Sequence, residues 1–221
     1  MVTSSNDVPH EYPTDTDRGV LDGPQQEHIL VLGDRSVINQ GVTSNELSVA
    51  AHLAREHQRS TRKGACWLVL PVPQNVAANA PQTLEQNQDL ITGTDLFVVM
   101  IGHTDALALT PAGEWERHLT ATLSAAREML PRDARVVLAE IPRLEAPTWW
   151  GRLGRHERHR RRLNRIIQRH TGTGSATRTM ARLAALPAAA SIGSPARERF
   201  AARYAQWAQA ITAALATPDH T

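Results

Sequence analysis

The chain alternates short, continuously apolar stretches with longer segments in which apolar residues recur at helical spacing. The apolar stretches lie at about 28–32, 66–70, 96–101 and 134–139. Strands buried on both faces of a sheet have this composition, because neither face meets water. Amphipathic helices are predicted over about 43–59, 111–130, 153–170 and from 194 onward, with a shorter helix around 83–90.

This alternation predicts an α/β fold, a three-layer doubly wound sheet of four to five parallel strands flanked by helices. Parallel strands need crossover connections, and those crossovers cover both faces of the sheet. Residues 177–183 are the candidate fifth strand, at an edge because Arg178 and Arg182 interrupt its apolar pattern. Residues 1–27 are polar, acidic and rich in proline, so we expect a disordered tail before a domain over 28–216 and a short tail at 217–221.

Composition narrows the class of protein without naming a partner. The 221 residues suit one domain, and 24 basic against 22 acidic residues give a formal charge of only +2. Cys66 is the single cysteine, which excludes an internal disulfide and a cysteine-rich metal site. No apolar run has the length of a signal peptide core or a membrane span. We therefore expect a cytoplasmic protein that uses no metal and no cofactor.

Two polar loops follow the predicted strands. Gly33-Asp34-Arg35-Ser36 comes after the first strand, and Gly102-His103-Thr104-Asp105 comes after the third. The carboxyl ends of parallel strands share one edge of the sheet, which is where ligands bind in such folds. The candidate binding residues are Gly33, Asp34, Arg35, Gly102, His103 and Asp105.

Together with Ser191-Ile-Gly-Ser194-Pro195 before the last helix, these loops resemble in order and spacing the sequence blocks of the SGNH (GDSL-type) hydrolases over roughly 28–215. The resemblance implies an SGNH-hydrolase-type fold and, for an active member, a serine esterase or lipase. In that family the first loop carries a serine nucleophile, the next two loops supply oxyanion donors, and a late Asp-x-x-His segment supplies the base and its orienting acid. A flavodoxin-like domain without hydrolase ancestry remains open, because it predicts the same strands and helices.

Each family block departs from the catalytic pattern. Arg35 stands at the nucleophile position, and Gln74 or Asn75 falls near the oxyanion glycine. Thr104 replaces the oxyanion asparagine, and Ser191 and Ser194 replace the acid and the base. Loss of catalytic groups removes about 10⁴–10⁶-fold of the rate in such enzymes. The sequence therefore predicts a catalytically inactive protein that acts as a binding or partner protein.

A rearranged ester hydrolase or acyltransferase is the alternative, with Ser36 as nucleophile, His103 as base and Asp34 as acid. Ser36 lies one residue past the nucleophile position, which turns a helical side chain by about 100°. We therefore expect its hydroxyl to bond to backbone at the helix start. Arg35 suits a small anionic or acyl ligand at this edge, or else forms an ion pair with Asp34 or Asp105.

The helix predicted over 152–170 is strongly basic. This composition predicts either a solvated outer face or a docking surface for an acidic protein, nucleic acid or anionic lipid headgroups. An anion- or nucleic-acid-binding module is a further alternative, but the alternation of aromatic and basic residues typical of single-strand binding is absent. The basic residues of this segment are Arg152, Arg155, His156, Arg158, His159, Arg160, Arg161, Arg162, Arg165, Arg169 and His170.

Overall fold

A six-stranded sheet forms the centre of the molecule, in a computed structural model that describes residues 12–143, 153–171, 181–187 and 196–216. Its strands lie in the order β1-β3-β2-β4-β5-β6. Those from β2 to β6 pair in parallel, and β1 pairs antiparallel with β3. The strands are β1 (Arg18–Leu21), β2 (Glu27–Gly33), β3 (Ala65–Pro71), β4 (Leu96–Met100), β5 (Arg135–Ala139) and β6 (Ala181–Ala184).

Helices connect the strands and cover both faces of the sheet. Three 3₁₀ turns, at Asn45–Leu47, Pro73–Asn75 and Ala77–Asn79, lie in the connecting loops. The α-helices of the described chain are α1 (Arg35–Ile38), α2 (Val49–Thr61), α3 (Ala80–Gln86), α4 (Gln88–Ile91), α5 (His103–Ala108), α6 (Ala112–Met129), α7 (Leu153–His170) and α8 (Ala196–Ala216). None of them is long and apolar enough to cross a membrane.

Alternate residues of the strands pack in two separate cores, since successive side chains of a strand point to opposite faces of the sheet. On one face, Leu30 and Leu32 of β2 pack in a core with residues of α3, α6 and α7. On the other, Ile29 and Val31 pack in a core with residues of α2 and α8. The result is the expected three-layer architecture, with every one of these four side chains at most 1% exposed.

The four strands predicted from continuous apolar runs are confirmed as β2 to β5, and β6 overlaps the predicted fifth strand. The helix predicted from about residue 43 begins later, at Val49, after a 3₁₀ turn. The 3₁₀ turn begins when Ser44 Oγ accepts from the amide of Glu46, and α2 begins when Ser48 Oγ accepts from the amide of Ala51.

The predicted start of the domain at His28 was too late, because β1 adds an antiparallel edge strand within the expected tail. Four residues with half-buried, alternating side chains leave too short a pattern to recognise. The remaining parts of the predicted tails, residues 1–11 and 217–221, lie outside the described residues, as do Ser191 and Ser194.

The strand order places the candidate site. From β2 the chain crosses to β3 on one side and then returns to β4 on the other side. Such a reversal opens a crevice beyond the carboxyl ends of the strands. The loops after β2, β3 and β4 therefore meet at one edge.

Candidate functional site

The two predicted loops lie side by side, joined by the loop after β3. Gly33 is in register with Pro71 of β3 and with Met100 of β4, so the three strands end at the same level. A Cβ on Gly33 would lie 2.6 Å from the carbonyl oxygen of Met100. Only glycine permits this approach between β2 and β4 without a shift of backbone.

Asp34 is fully buried at this junction, and its Oδ2 accepts a hydrogen bond of 3.1 Å from the amide of Thr104. Burial raises the pKa of Asp34 to about 8, aided by the negative charge of Asp105 and opposed by backbone amides of residues 102–104. Its Oδ1 has no hydrogen-bond partner among the described residues. Asp34 is therefore mostly neutral at pH 7 and is bonded to the start of α5.

Asp105 also holds loops together. Its Oδ2 accepts from the amide of Ala77 at 3.0 Å, and its Oδ1 accepts from the hydroxyl of Thr110 at 2.9 Å. The side chain is buried. Asp105 thus ties the segment after β3 to both ends of α5, which is a structural role.

Ser36 and His103 form the contact with the clearest chemical meaning. Ser36 Oγ lies 3.1 Å from His103 Nδ1, within hydrogen-bond distance, and both residues are half-buried. The prediction that the Ser36 hydroxyl bonds to backbone was wrong, because α1 begins close enough to α5 for the side chains to meet. A hydroxyl beside an imidazole is the first half of a nucleophile and base pair.

The two nearby carboxyl groups of the described chain have partners other than this pair. The two nearby carboxyl groups, Asp34 and Asp105, bond to backbone amides and to Thr110. Neither makes a hydrogen bond to the His103 ring among the contacts described. The predicted set Ser36, His103 and Asp34 therefore comes together in space, but Asp34 does not orient the histidine.

The loop after β3 blocks a backbone donor at the nucleophile position. Gln74 and Asn75 have φ values of 58° and 55°, the left-handed region that favours glycine. This conformation directs Asn75 Oδ1 to the amide of Arg35, which donates to it at 2.7 Å. The position where the family resemblance expects an oxyanion glycine thus carries an amide side chain that occupies the Arg35 N–H.

The Arg35 side chain is half-buried, and its guanidinium carbon lies 5.7 Å from the centre of the Tyr12 ring. The expected alternative of an ion pair with Asp34 or Asp105 is wrong for the chain described, where the two carboxyl groups have other partners. Burial raises the pKa of Tyr12, and the charge of Arg35 opposes that rise. A cation–aromatic contact of this kind contributes about 0.5–2 kcal/mol.

Tyr12 belongs to residues 12–17, here called the N-terminal strap. Asp15 holds the strap in place, since its carboxylate accepts from Ser44 Oγ at 2.7 Å and from the amide of Asn45 at 2.9 Å. Sequence reasoning missed the strap because it lies in the expected tail. The run of Pro13, Asp15 and Asp17 gave no signal that distinguishes a pinned loop from a free one.

The space beside His103 is small. A cavity of about 10 Å³ lies there, lined by residues of β4, β5 and α1, and it has room for one water molecule. Gly102, just before His103, has φ 104°, and a Cβ there would lie 2.9 Å from Trp115 Nε1. No group of three His, Cys, Asp or Glu side chains in the described residues is arranged to hold a metal.

No protein-family model matches this chain, and no curated protein matches it.

Comparison with solved structures does find similar folds. The lipase Lip_vut3 from a goat rumen metagenome has a TM-score of 0.67 and 13% identity, with 85% of this chain and 97% of that chain covered. TesA has a TM-score of 0.58 and 15% identity, with 86% of this chain and 98% of that chain covered. A mutant of Axe2, an acetyl-xylooligosaccharide esterase from Geobacillus, has a TM-score of 0.56 and 13% identity. The match covers 89% of this chain and 97% of that chain.

Identities this low establish architecture only. The six-stranded sheet, the three loops at its carboxyl edge and the neighbours of nearly full length agree on one fold. The chain has the fold of the SGNH (GDSL-type) hydrolases.

Proposed function

We propose that this protein is a catalytically inactive SGNH-fold protein that binds a small carboxylate ligand through Arg35. The observation that carries the proposal is the 2.7 Å hydrogen bond from the Arg35 amide to Asn75 Oδ1. Acyl transfer needs backbone donors aimed at the developing oxyanion. At this position the donor already has a partner, and the side chain it belongs to is not a nucleophile.

The charge of Arg35 supports a binding role for the same edge. Arg35 is half-buried with its guanidinium beside an aromatic ring, and no carboxylate within the described part of the chain forms an ion pair with it. A partly desolvated cation gains from an anion that replaces the lost hydration. Guanidinium binds carboxylate with two parallel hydrogen bonds, which favours this ligand class.

Ester hydrolysis by Ser36 and His103 is the second candidate, favoured by their 3.1 Å separation. In that reaction Ser36 Oγ would attack the carbonyl carbon while His103 takes the hydroxyl proton. His103 would then give this proton to the departing alcohol as the ester bond breaks, and water would release the acyl group from Ser36 in the same way. Asp34, the acid predicted for this pair, is neutral at pH 7 and bonded to the backbone of α5, which argues against it as the orienting acid.

Ligand binding is tested by isothermal titration with acetate, butyrate and benzoate. We expect saturable binding by the native chain and a Kd about 10–100-fold weaker for Arg35→Gln, the loss of one charge-assisted interaction. Arg117→Gln is the matched control, because Arg117 is exposed on α6, and it should bind as the native chain does. Equal affinities for both variants, or no binding by the native chain, would contradict the proposal.

Catalysis is tested by labelling with a fluorophosphonate and by turnover of nitrophenyl acetate. We expect neither, because the Arg35 position lacks a hydroxyl and its amide is occupied. Stoichiometric labelling that is abolished by Ser36→Ala and retained in the exposed-site control Ser60→Ala would contradict the proposal of an inactive protein. It would support ester hydrolysis by Ser36 and His103 instead.

A further inference from the structure

Helix α7 carries a straight row of exposed arginines on the side that faces away from the core. The row consists of Arg155, Arg158, Arg162, Arg165 and Arg169, which we call the arginine ridge. Successive members are three or four residues apart, the spacing that keeps side chains on one line of a helix. At 1.5 Å per residue the ridge is about 21 Å long.

The opposite face of α7 explains why the ridge is not needed for folding. Leu163, Ile166 and Ile167 are each at most 3% exposed and pack in the core on that face of the sheet. Arg160 serves the same anchoring role, with bonds to Glu157 and to the carbonyl of Ile141. The helix is thus fixed by residues outside the ridge.

The ridge is nearly unneutralised within the part of the chain that the structure describes. Arg169 forms an ion pair of 2.8 Å with Glu116 of α6, and Arg158 Nε donates to the helix carbonyl of Gly154. No ion pair involves Arg155, Arg162 or Arg165 among the described residues. Five like charges on one line repel one another, and a partner of opposite charge relieves that repulsion.

An open groove of about 380 Å³ runs beside the ridge, between α7 and the end of β5. Arg161 and Arg165 line it together with Gln168, which bonds to Glu140 at 2.8 Å. The groove gives an incoming side chain a recess next to the exposed cations. Arg161 is 66% exposed, so one of its faces is available although Glu157 holds its Nε.

We propose that the arginine ridge and this groove form a docking surface for an acidic protein segment whose carboxylates repeat at helical spacing. Charge complementarity and matched spacing along about 21 Å support this occupant. Nucleic acid fits less well, since α7 contains no Phe, Tyr or Trp to stack on bases and the formal charge of the chain is only +2.

The test uses the full chain and a labelled 18-residue peptide with glutamates spaced three and four apart. Fluorescence anisotropy compares it with a scrambled peptide of the same composition, a DNA duplex and phosphatidylserine vesicles. We expect the patterned peptide to bind at least about tenfold more tightly than the scrambled one. Preference for duplex DNA or vesicles, or no preference between the peptides, would overturn the proposal.

Charge reversal identifies the surface. The ridge variant R158E/R162E/R165E should weaken peptide binding about 10–100-fold, since three contacts become repulsive. The control variant R62E/R117E/R132E makes the same change in net charge at exposed arginines outside α7 and should change the affinity less than about threefold. Equal losses in both variants would show that net charge alone attracts the peptide and would overturn the proposal.

A ridge variant that fails to fold is replaced by R158Q/R162Q/R165Q, which removes charge without reversing it. Circular dichroism and the unfolding midpoint establish that each variant is folded. If the folded glutamine variant bound the peptide as tightly as the native chain does, the docking proposal would also be overturned.

Discussion

At the scale of single residues, three polar side chains of the carboxyl edge form hydrogen bonds with backbone amides. Asp34 and Asp105 accept hydrogen bonds from loop amides, and the side chain of Asn75 accepts one from the amide of Arg35. These contacts hold the loops at fixed distances. They also keep Asp34 and Asp105 from orienting His103, so residue identity alone would overstate the role of these two acids.

Asp34 gives this edge a measurable pH dependence. Its folded-state pKa of about 8 lies above the value of about 3.9 in an unfolded chain, so between these values only the folded state holds the proton. Stability should therefore fall as pH rises from about 4 to about 8, by up to about 1.4 kcal/mol per pH unit, and level off above that range.

Asp34→Asn removes this ionisation, because the neutral amide can still accept from the amide of Thr104. We expect the free energy of unfolding of the variant, measured in urea at about pH 5 and pH 8.5, to rise relative to the native chain by a few kcal/mol between the two. Asp133→Asn, at an exposed carboxyl, should leave the native pH profile unchanged. Parallel profiles for the native chain and Asp34→Asn would contradict the assignment.

At the scale of elements, the buried side chain of Asn45 adds to the contacts of Asp15 that hold the N-terminal strap. Asn45 is fully buried, and its Nδ2 donates to Asp15 Oδ1 and to Asp17 Oδ1 at 3.1 Å each. The Nδ2 of Asn39 donates to Asn45 Oδ1 at 3.0 Å, which fixes the amide from the other side. The strap therefore joins β1 to the loop before α2 and carries Tyr12 to Arg35.

Asn45→Ala should release the strap, because it leaves the two carboxylates without these donors at a cost of about 1–3 kcal/mol. Trypsin cleavage after Arg18, followed by mass spectrometry under native conditions, should become about tenfold faster or more. Asn87→Ala removes a comparable bond, to the carbonyl of Thr83, far from the strap in sequence and should cleave at the native rate. Equal cleavage rates in both variants would contradict the anchoring role of Asn45.

At the scale of the whole molecule, the sheet was predictable where burial is complete. Strands such as β2 and β4 are apolar throughout because both faces are covered, and sequence shows that directly. β1 was not predicted, because a pattern of four alternating residues fits a loop equally well. The order of the loops predicted which residues share an edge, including Arg35 and His103.

The atomic contacts at that edge could not be predicted from the sequence. Arg35 and Asn75 are 40 residues apart, and their bond depends on two successive left-handed residues that no local pattern signals. Ser36 meets His103 across 67 residues because the register of β2 and β4 brings α1 beside α5. Such contacts follow from register and turn geometry, which composition does not determine.

The margins of the sheet limit how copies of this chain can associate. The described sheet ends in β1 and β6, strands of four residues each. Arg182 of β6 reaches over to the last carbonyls of α8, at 3.2 Å from Ala214 and 3.1 Å from Leu215, so a charged side chain spans from that margin to a helix end. Short, charged margins give an approaching strand few backbone groups to pair with. Growth by strand addition, the usual route from a native sheet to fibrils, is thereby disfavoured at both sides of the molecule.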